Sequence, residues 1–453
     1  MSRERLVIIG GVAAGMSAAS RARRIAPEME IIVLEKGTDV SYGACGLPYY
    51  ISGCVADAND LVVYTADFFS QKRNIDVRLE HTAVEIEPGR KRVHVKRNGA
   101  QSAAIPYDKL VLTVGGAPAH TIPGGDRANV FSCITLQDAI GLRGFVDRQH
   151  PKRVVIVGSG YIGLEVADAL VSRGLSVTIL ERSTAVLDGL EPEIMQQVEN
   201  TLTGHGVRLL KNSPVTRLIG APGGLATAAE YGAGGTEPAD LVVVSTGIAP
   251  RTELAVTAGI ALGPTRAIAV DDRMQTNVSS IYAAGDCVEV RHLVSGAAAY
   301  FPLGTTANKQ GRVAGENAAG GCATFGGVVG TLVTKVFELE LAKTGLGTEQ
   351  ARAHGFDPDS VTIKAFSRAK YFGGKPLHLT LIWDRPTARL LGCQIAGEDG
   401  AGKRIDVAAM ALHARLRIPD MLHLDLSYAP PFAPVWEAIL TAAHEAMKKL
   451  GHG

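Results

Sequence analysis

Cys45 is the side chain best suited to covalent chemistry, because it lies among small residues and a proline in the segment SYGACGLPYY. This composition predicts that the thiol opens a helix. A thiol at a helix N-terminus has a lowered pKa and is therefore a better nucleophile. The other five cysteines lack this context, and we expect them to be small buried hydrophobic residues: Cys54, Cys133, Cys287, Cys322 and Cys393.

The cysteine spacing argues against other uses of sulfur. No two cysteines form a CxxC pair and no cysteines and histidines have zinc-site spacing, so we predict no metal centre. Six cysteines in 453 residues are also too few for a disulfide framework, which favours a reducing compartment. The sequence shows neither a signal-peptide pattern nor an apolar run of about 18 residues. We therefore predict a cytoplasmic protein that does not bind membranes.

The overall composition narrows the class of protein. The chain has 46 Lys+Arg and 45 Asp+Glu, a formal net charge of +1, which argues against a nucleic-acid partner. A hydrophobic content of 46% is enough for buried cores and excludes wholesale disorder. Gly is over-represented, with 52 residues, which predicts many tight turns where the backbone approaches something closely.

Two strand–turn–helix–strand units must position the thiol. The first begins with the apolar run LVIIG, continues through an Ala-rich helical stretch and ends with EIIVLEK. This order is typical of a dinucleotide-binding βαβ unit, in which a pyrophosphate lies on the helix N-terminus. Glu35 lies 20 residues after Gly15, the distance expected for a carboxylate that binds a ribose hydroxyl. Val12 takes the place of the middle glycine, so an ordinary tight turn remains an alternative.

The second unit starts with RVVIVG and ends with LSVTILER. All three fingerprint positions are filled, by Gly158, Gly160 and Gly163, and Glu181 follows 18 residues after the last glycine. A carboxylate there accepts hydrogen bonds from ribose hydroxyls and repels a 2′-phosphate, which favours NADH over NADPH. The adjacent Arg182 weakens this preference and leaves both nucleotides open.

Three further strand ends combine glycine with a polar residue. YDKLVLTVGGAP ends with Thr113 and Gly115, SSIYAAGDCVEV contains Gly285 and Asp286, and STGIAPRTEL contains Gly247. Asp286 is placed to bind a ribityl hydroxyl. Each segment alone is compatible with a plain strand-to-loop turn. Together with the two fingerprints they indicate two dinucleotides, a flavin and a nicotinamide.

With these motifs the sequence resembles the FAD-dependent pyridine nucleotide–disulfide oxidoreductases along essentially the whole chain. It is most similar to the single-cysteine branch: coenzyme A-disulfide reductases, NADH oxidases, NADH peroxidases and NAD(P)H sulfur or polysulfide reductases. The disulfide-pair branch uses CxxxxC spacing, whereas here Val40 and Tyr50 lie five positions from Cys45. Ala13 replaces a histidine of the oxidases and peroxidases, which favours the coenzyme A-disulfide or sulfur reductases. Ala44 replaces an asparagine common in coenzyme A-disulfide reductases, which leaves coenzyme A specificity open.

The resemblance implies an α/β fold: two Rossmann-like dinucleotide-binding domains, for FAD and NAD(P)H, plus an α+β C-terminal dimerisation domain. It also implies a homodimer. The implied domains are a first FAD-binding segment at 1–115, a connecting FAD-domain segment at 116–149, the NAD(P)H-binding domain at 150–255, a second FAD-binding segment at 256–326 and the dimerisation domain at 327–453.

The resemblance further implies roles for individual residues. Tyr428 would reach the partner subunit's Cys45 and Tyr371 would be a second active-site tyrosine, although both could be interface packing. Tyr161 would cover the flavin until nicotinamide displaces it, and Glu165 would position the nicotinamide. The FAD-binding candidates are Gly10, Gly11, Ala14, Gly15, Glu35, Thr113, Gly115, Gly285 and Asp286. The NAD(P)H-binding candidates are Gly158, Gly160, Tyr161, Ile162, Gly163, Glu165, Glu181 and Gly247. The candidates for a coenzyme A groove are Arg21, Arg24, Ser41, Phe69, Arg73, Asn308 and Lys309.

These roles imply a redox cycle that ends at sulfur. NAD(P)H would pass hydride to the flavin, the flavin would pass electrons to Cys45, and the Cys45 thiolate would attack a small disulfide or sulfane sulfur. Tyr428 would protonate the leaving thiolate. One alternative is an NADH oxidase in which Cys45 cycles through a sulfenate. Another is a redox-sensing or electron-carrier flavoprotein that serves a partner protein, a class that usually lacks the cysteine.

Overall fold

The fold is built around parallel sheets, whose apolar strands are buried on both faces. The computed structural model describes residues 3–97 and 103–451. The helices in these ranges are α1 (Ala13–Ile25), α2 (Leu47–Ser52), α3 (Ala66–Arg73), α4 (Leu136–Gln149), α5 (Tyr161–Val171), α6 (Pro192–Gly204), α7 (Glu253–Thr257), α8 (Gly304–Ala318), α9 (Thr348–Ala353), α10 (Ala401–His413), α11 (Ile418–Met421) and α12 (Ala438–Lys449). The strands are β1 (Arg5–Ile9), β2 (Glu30–Leu34), β3 (Asp76–Arg78), β4 (His81–Glu87), β5 (Arg92–Arg97), β6 (Ala103–Pro106), β7 (Lys109–Leu112), β8 (Gly116–Pro118), β9 (Val130–Phe131), β10 (Arg153–Val157), β11 (Ser176–Leu180), β12 (Arg208–Leu210), β13 (Val215–Ile219), β14 (Ala228–Tyr231), β15 (Gly235–Pro238), β16 (Leu241–Val244), β17 (Ile248–Pro250), β18 (Ile281–Ala283), β19 (Val290–Arg291), β20 (Ala298–Ala299), β21 (Leu332–Val336), β22 (Leu339–Gly345), β23 (Pro358–Phe366), β24 (Pro376–Asp384) and β25 (Leu390–Gly397).

The first sheet has five parallel strands in the order β18-β7-β1-β2-β3. Because β18 follows the second sheet in sequence, two separate stretches of chain form this unit. Helices α1 and α8 pack closely against each other on the sheet, since small residues line both. A Cβ on Gly311 would lie 2.2 Å from the carbonyl oxygen of Ala14, and a Cβ on Gly315 would lie 2.1 Å from that of Ala18. Larger residues at these glycines would therefore push the helices apart.

The second sheet is also five-stranded and parallel, in the order β12-β11-β10-β16-β9. Its edge strand β9 pairs with β16 and lies inside the predicted connecting segment at 116–149. Residues Val130 and Phe131 of that segment are therefore part of the second sheet. All of the predicted domain boundaries remain predictions. The strands β8 and β17 form an antiparallel pair between the two units.

The C-terminal unit is an antiparallel sheet in the order β21-β22-β25-β24-β23, packed by α10 and α12. Trp383 is fully buried in the hydrophobic core of this unit. The two parallel sheets and this α+β unit confirm the predicted fold class. Among the described residues, no helix is both long and apolar enough to cross a membrane.

Candidate active site

Cys45 lies in the 3₁₀ turn that precedes α2, and its side chain is exposed. Gly46 is the N-cap of α2, and Pro48 lies in the first turn, where proline favours a helix start. Cys45 therefore lies in the 3₁₀ turn that leads into this helix, two residues before α2 itself begins. The helix that follows has only six residues, so its dipole is small.

The electrostatic surroundings of Cys45 also differ from the prediction. Partial burial raises the pKa of its thiol, and the Glu165 and Asp286 carboxylates raise it further. The predicted lowering of this pKa is therefore wrong, because nearby negative charge disfavours the thiolate. Glu165 lies on α5 of the second unit, whereas Asp286 follows β18 of the first. The thiol thus lies where the two units meet.

Two arginines of the second unit hold the thiol-bearing helix, and sequence reasoning missed them. Arg143 on α4 donates from Nη1 to the carbonyl oxygens of Tyr50, Val55 and Ala56, each at 3.1 Å, and its guanidinium lies 4.4 Å from the Tyr50 ring centroid. Arg173 donates to the carbonyl of Ile51 at 3.2 Å. These carbonyls lie in the last turn of α2 and in the residues after it. The last carbonyl groups of a helix have no hydrogen-bond partner within the helix.

Asp147 links the two arginines. Its carboxylate forms an ion pair with Arg173 and lies 3.8 Å from Nε of Arg143. We refer to Arg143, Asp147 and Arg173 as the arginine clamp. No local sequence signal marks it, because its members interact with backbone atoms about 90 to 120 residues away.

The first glycine turn is built by close backbone contacts. Gly10 has φ +104°, and a Cβ there would lie 2.1 Å from the carbonyl oxygen of Thr113. A Cβ on Gly15 would lie 1.8 Å from the Gly10 carbonyl oxygen. Glu35 accepts hydrogen bonds from the backbone N–H groups of Gly11 at 2.7 Å and of Gly37 at 2.7 Å. The turn therefore presents free helix N–H groups beside a fixed carboxylate, which suits a dinucleotide.

The second glycine turn repeats this geometry. A Cβ on Gly158 would lie 2.4 Å from the Ser245 carbonyl oxygen, and one on Gly163 would lie 2.4 Å from the Gly158 carbonyl oxygen. Gly160 is different, because a Cβ there would meet nothing within 4 Å. The middle glycine is thus not required by packing, and it leaves room for a ligand to approach the backbone.

Glu181 directly follows β11 and is buried. Its Oε2 accepts from the backbone N–H of Ser159 at 2.8 Å and from the Ser159 hydroxyl at 2.7 Å, while its Oε1 accepts from the N–H of Ser183 at 2.8 Å. Burial alone would raise the pKa of Glu181, but these hydrogen bonds outweigh it and lower the pKa. Glu181 is therefore a fixed negative charge beside the glycine turn.

Buried polar groups near Asp286 fit the polar portion of a flavin. The N–H of Gly285 donates to Oε1 of Gln310 at 3.0 Å, whereas Nε2 of Gln310 is buried and has no hydrogen-bond partner among the described residues. Burial raises the pKa of Asp286 to about 6. The Tyr300 hydroxyl donates to the Asp286 carbonyl at 2.8 Å. A Cβ on Gly285 would lie 2.9 Å from the Cβ of Ala14, so α1 and the β18 turn converge here.

The start of α5 connects the second glycine turn with the thiol. Tyr161 and Ile162 pack against the core cluster that includes Leu47 and Ile51 of α2. The Tyr161 hydroxyl is buried and has no partner within the portion of the chain described, and burial raises its pKa. Such an unpaired group costs free energy unless a ligand or water pairs with it.

Glu165 lies one turn further along α5 and accepts a hydrogen bond from the Thr334 hydroxyl at 2.6 Å. Burial raises the pKa of Glu165, although the Thr334 bond opposes the shift. Two glycines have left-handed backbone between the units, Gly115 with φ +69° and Gly247 with φ +91°. Their roles in cofactor binding remain predictions.

The predicted coenzyme A candidates differ in their surroundings. Phe69 is only 2% exposed, because its ring packs in the core against Tyr64 and Phe68. The prediction that Phe69 lines a surface groove is therefore wrong. Arg73 lies 5.5 to 5.7 Å from the centroids of these three rings. Arg21 forms an ion pair with Glu316 at 2.5 Å, which satisfies its charge.

The remaining four candidates lie along α1, α8 and the loop after β2. Arg24 is exposed, and Lys309 borders a surface cleft that also contains Arg21 and Arg312. The side chain of Asn308 accepts a hydrogen bond from the Ser17 hydroxyl at 2.7 Å. Ser41 has φ +52° and bonds through its backbone to Gly11. Their binding of coenzyme A remains a prediction.

The C-terminal unit exposes an aromatic surface. Tyr371 is 77% exposed, and Tyr428 is 49% exposed. The segments that carry them meet, because the N–H of Ala369 donates to the carbonyl of Pro430 at 3.3 Å. Large apolar side chains nearby in sequence are also exposed, and we refer to them as the aromatic face: Phe372, Phe432, Val435 and Trp436.

The other cysteines are only partly as predicted. Cys133, Cys287 and Cys393 are buried. Cys54 and Cys322 are exposed, so the prediction that they pack in a core is wrong. Cys54 follows Gly53, and Cys322 follows Gly320 and Gly321. Gly53 and Gly320 have left-handed backbone and lie just after the ends of helices.

The sequence profile described as pyridine nucleotide-disulphide oxidoreductase matches residues 4–311, and the profile of that family's dimerisation domain matches residues 332–439. The chain is 39% identical over 447 residues to a protein of Pyrococcus furiosus named NAD(P)H sulfur oxidoreductase (CoA-dependent), covering 98% of this chain and 99% of that one. It is 34% identical to an NADH oxidase of Methanocaldococcus jannaschii, covering 99% and 100%. A solved NAD-dependent persulfide reductase from A. fulgidus superposes with a TM-score of 0.95 at 38% identity, covering 98% of this chain and 83% of that one.

Proposed function

The chain belongs to the pyridine nucleotide-disulphide oxidoreductase family and is an FAD- and nicotinamide-dependent oxidoreductase, and we propose that it reduces a small disulfide or sulfane sulfur at Cys45. The substrate class we propose is coenzyme A disulfide, coenzyme A persulfide or polysulfide. A similar protein is named CoA-dependent sulfur oxidoreductase, and another is titled persulfide reductase.

One observation carries this proposal: the exposed Cys45 thiol lies near carboxylates of both nucleotide-binding units. Cys45 has Glu165 of the second unit and Asp286 of the first as electrostatic neighbours. All six cysteines, each within the described ranges, are free thiols. Chemistry at this place therefore involves one sulfur of the protein and one sulfur of a substrate.

The residues fit the two cofactors. The Gly10 turn, Glu35, Asp286 and Gln310 would hold FAD, and the Gly158 turn with Glu181 would hold NAD(P)H. Bound FAD supplies the two-electron redox chemistry that links NAD(P)H oxidation to reduction of a sulfur–sulfur bond.

The protein's own contribution is to hold and deprotonate the thiol. The Cys45 thiolate would attack one sulfur of the substrate, so that a mixed disulfide forms and the other sulfur leaves as a thiolate. That thiolate takes up a proton, for which we propose Tyr428 of the partner subunit as donor and Tyr371 as a supporting residue. Burial raises the pKa of Asp286 to about 6, so this carboxylate would accept the Cys45 proton more readily than an ordinary aspartate, and burial also raises the pKa of Glu165.

The homodimer belongs to the proposal. The dimerisation-domain match and the aromatic face support it, since an exposed apolar patch of this kind marks a protein interface. The double variant Phe432→Asp/Trp436→Asp should then elute as a monomer and lose sulfur reduction. A variant that stays dimeric would place the interface elsewhere.

An NADH oxidase is the second candidate, because a relative 34% identical to this chain has that name. In that reaction Cys45 would cycle through a sulfenate. Ala13 stands against it, since the resemblance places a histidine there in dedicated oxidases.

Mass spectrometry and an acceptor comparison test the proposal. Purified, unreduced protein should carry on Cys45 an adduct with the mass of coenzyme A, or a persulfide. Anaerobic NAD(P)H consumption with coenzyme A disulfide or polysulfide should exceed consumption with oxygen alone. Faster consumption with oxygen, together with an unmodified Cys45, would replace the proposal with the oxidase.

A further inference from the structure

A hydroxyl of the C-terminal unit contacts a carboxylate of the second unit close to the thiol. Oγ1 of Thr334 on β21 donates to Oε1 of Glu165 at 2.6 Å, and Thr334 is buried. We infer that Thr334 is a positioning residue, which holds the Glu165 carboxylate in place for hydride transfer from NAD(P)H. The inference rests on the proposed function in that it places the nicotinamide beside Glu165, and it adds a residue from a different unit.

Glu165 lies between the second glycine turn and the thiol-bearing segment. Helix α5 begins at Tyr161, directly after Gly160, so Glu165 lies one turn inside the helix that follows the turn. Its charge raises the pKa of both Cys45 and Tyr49, as expected for a carboxylate that faces their segment. Hydride donation leaves a positive charge on the nicotinamide ring. An ionised carboxylate fixed at this place would therefore lower the barrier to that step.

Thr334 is the group that favours the ionised form of Glu165. Within residues 3–97 and 103–451, no other group donates a hydrogen bond to this carboxylate. Burial raises the pKa of Glu165, the Thr334 bond opposes this shift, and the charge of Asp168 adds to it. The titratable groups that face Glu165 lie on its own helix and on the segments packed near it: Asp168, Cys45, Tyr49 and Cys133. None of these four groups is a cation, so loss of the Thr334 hydroxyl would leave the carboxylate more often protonated and free to rotate.

Further contacts of the β21–β22 hairpin fix the place of the Thr334 hydroxyl. The N–H of Phe337, between the two strands, donates to Oδ2 of Asp168 at 2.8 Å, one turn beyond Glu165. The Phe337 ring is buried in a core cluster that also contains Leu164 of α5. It stacks on the ring of His205, which follows α6, with the centroids 3.9 Å apart. The C-terminal unit thus orients Glu165 from outside the unit that carries the second glycine turn.

Anaerobic stopped-flow reduction of FAD by NADH in the holoenzyme, without any acceptor, tests the role in hydride transfer. Thr334→Val keeps the side-chain shape but removes the hydroxyl, so the limiting rate of FAD reduction should fall about 10-fold. The Kd for NADH should change by less than about threefold, because the lost bond is within the protein. Thr334→Ser should restore the rate to within about twofold of the native rate. In a Glu165→Ala background, Thr334→Val should change the rate by less than about twofold, because it acts through Glu165.

An infrared pH titration measures the carboxyl group itself, without NADH. The protonated-carboxyl band that Glu165→Gln abolishes should titrate about one pH unit higher in Thr334→Val than in the native protein, because a bond to the charged form is lost. Thr344→Val is the matched control. It removes a buried hydroxyl from β22 of the same hairpin, which lies 2.7 Å from that of Thr331, and it should change neither the rate nor the titration.

Two results would overturn the inference. One is FAD reduction in Thr334→Val within about twofold of the native rate, and the other is an undiminished loss of rate from Thr334→Val in the Glu165→Ala background. If Thr334→Val does not retain FAD, Thr334→Ala removes the same hydroxyl with a smaller side chain. Failure of the proposed sulfur chemistry would appear in the acceptor comparison and would leave these acceptor-free measurements unchanged, so the two failures are distinguishable.

Discussion

Removing the clamp residue Arg143 should loosen the thiol-bearing segment without unfolding the protein. In Arg143→Ala, the carbonyls of Tyr50, Val55 and Ala56 lose a charged donor, and the Tyr50 ring loses a cation. Arg173 still holds Ile51, so α2 remains attached at one point. The perturbation is therefore local to the segment that follows Cys45.

The geometry sets the size of the effect. One nitrogen with two hydrogens serves three carbonyls, so it makes about two full hydrogen bonds, each worth about 1.5 to 3 kcal/mol with a charged donor. The cation–π contact adds about 0.5 to 1 kcal/mol. The Arg143 side chain is 23% exposed, so water replaces much of this. We expect a net loss of about 2 to 3 kcal/mol in the free energy of local opening.

Hydrogen exchange measures this loss directly. Amides of residues 47–57 in the holoenzyme should exchange about 30- to 150-fold faster in Arg143→Ala, since each 1.4 kcal/mol is tenfold. Sulfur-dependent turnover should fall, while NADH-dependent dye reduction stays within about twofold of the native rate. Arg148→Ala, on the same helix, should leave both unchanged. Exchange that changes less than about threefold in Arg143→Ala would refute the role of the clamp.

Two other predictions concern the glycine turn and the thiol. Gly160→Ala should keep the native melting temperature, because a Cβ there would meet nothing within 4 Å, yet it should raise the KM for NADH. Gly163→Ala should lower the melting temperature, because a Cβ there would lie 2.4 Å from the Gly158 carbonyl oxygen. Equal effects of the two substitutions on the melting temperature would contradict this account. Glu165→Gln removes a negative charge that raises the pKa of Cys45, so the pH midpoint of Cys45 alkylation should move to lower pH. A move of this midpoint to higher pH would show instead that Glu165 stabilises the thiolate.

The elements of the fold that repeat a local pattern could be predicted from the sequence. The two glycine turns and their acids are short, ordered motifs, and Glu35 and Glu181 each directly follow a buried strand. In each case the strand and its turn are neighbours in sequence. Periodicity and glycine spacing therefore contain most of the needed information.

Features that depend on distant contacts could not be predicted. The lowered pKa expected for Cys45 was inferred from its helix alone, whereas partial burial of the thiol raises its pKa, and Glu165 and Asp286, which are distant in sequence, raise it further. Phe69 was expected in a groove because of the family resemblance, but tertiary packing buries its side chain. Arg143 looks like any surface arginine on a helix until the carbonyls of the thiol segment are placed beside it.

The central claim is that Cys45 is the one redox-active sulfur of the protein, and anaerobic reductive titration tests it most directly. The holoenzyme is first oxidised with its sulfur acceptor and then desalted. Native subunits should take up about four electrons, two for FAD and two for the sulfur–sulfur bond at Cys45, whereas Cys45→Ser should take up about two. A Cys45→Ser protein that takes up as many electrons as the native protein would contradict the account.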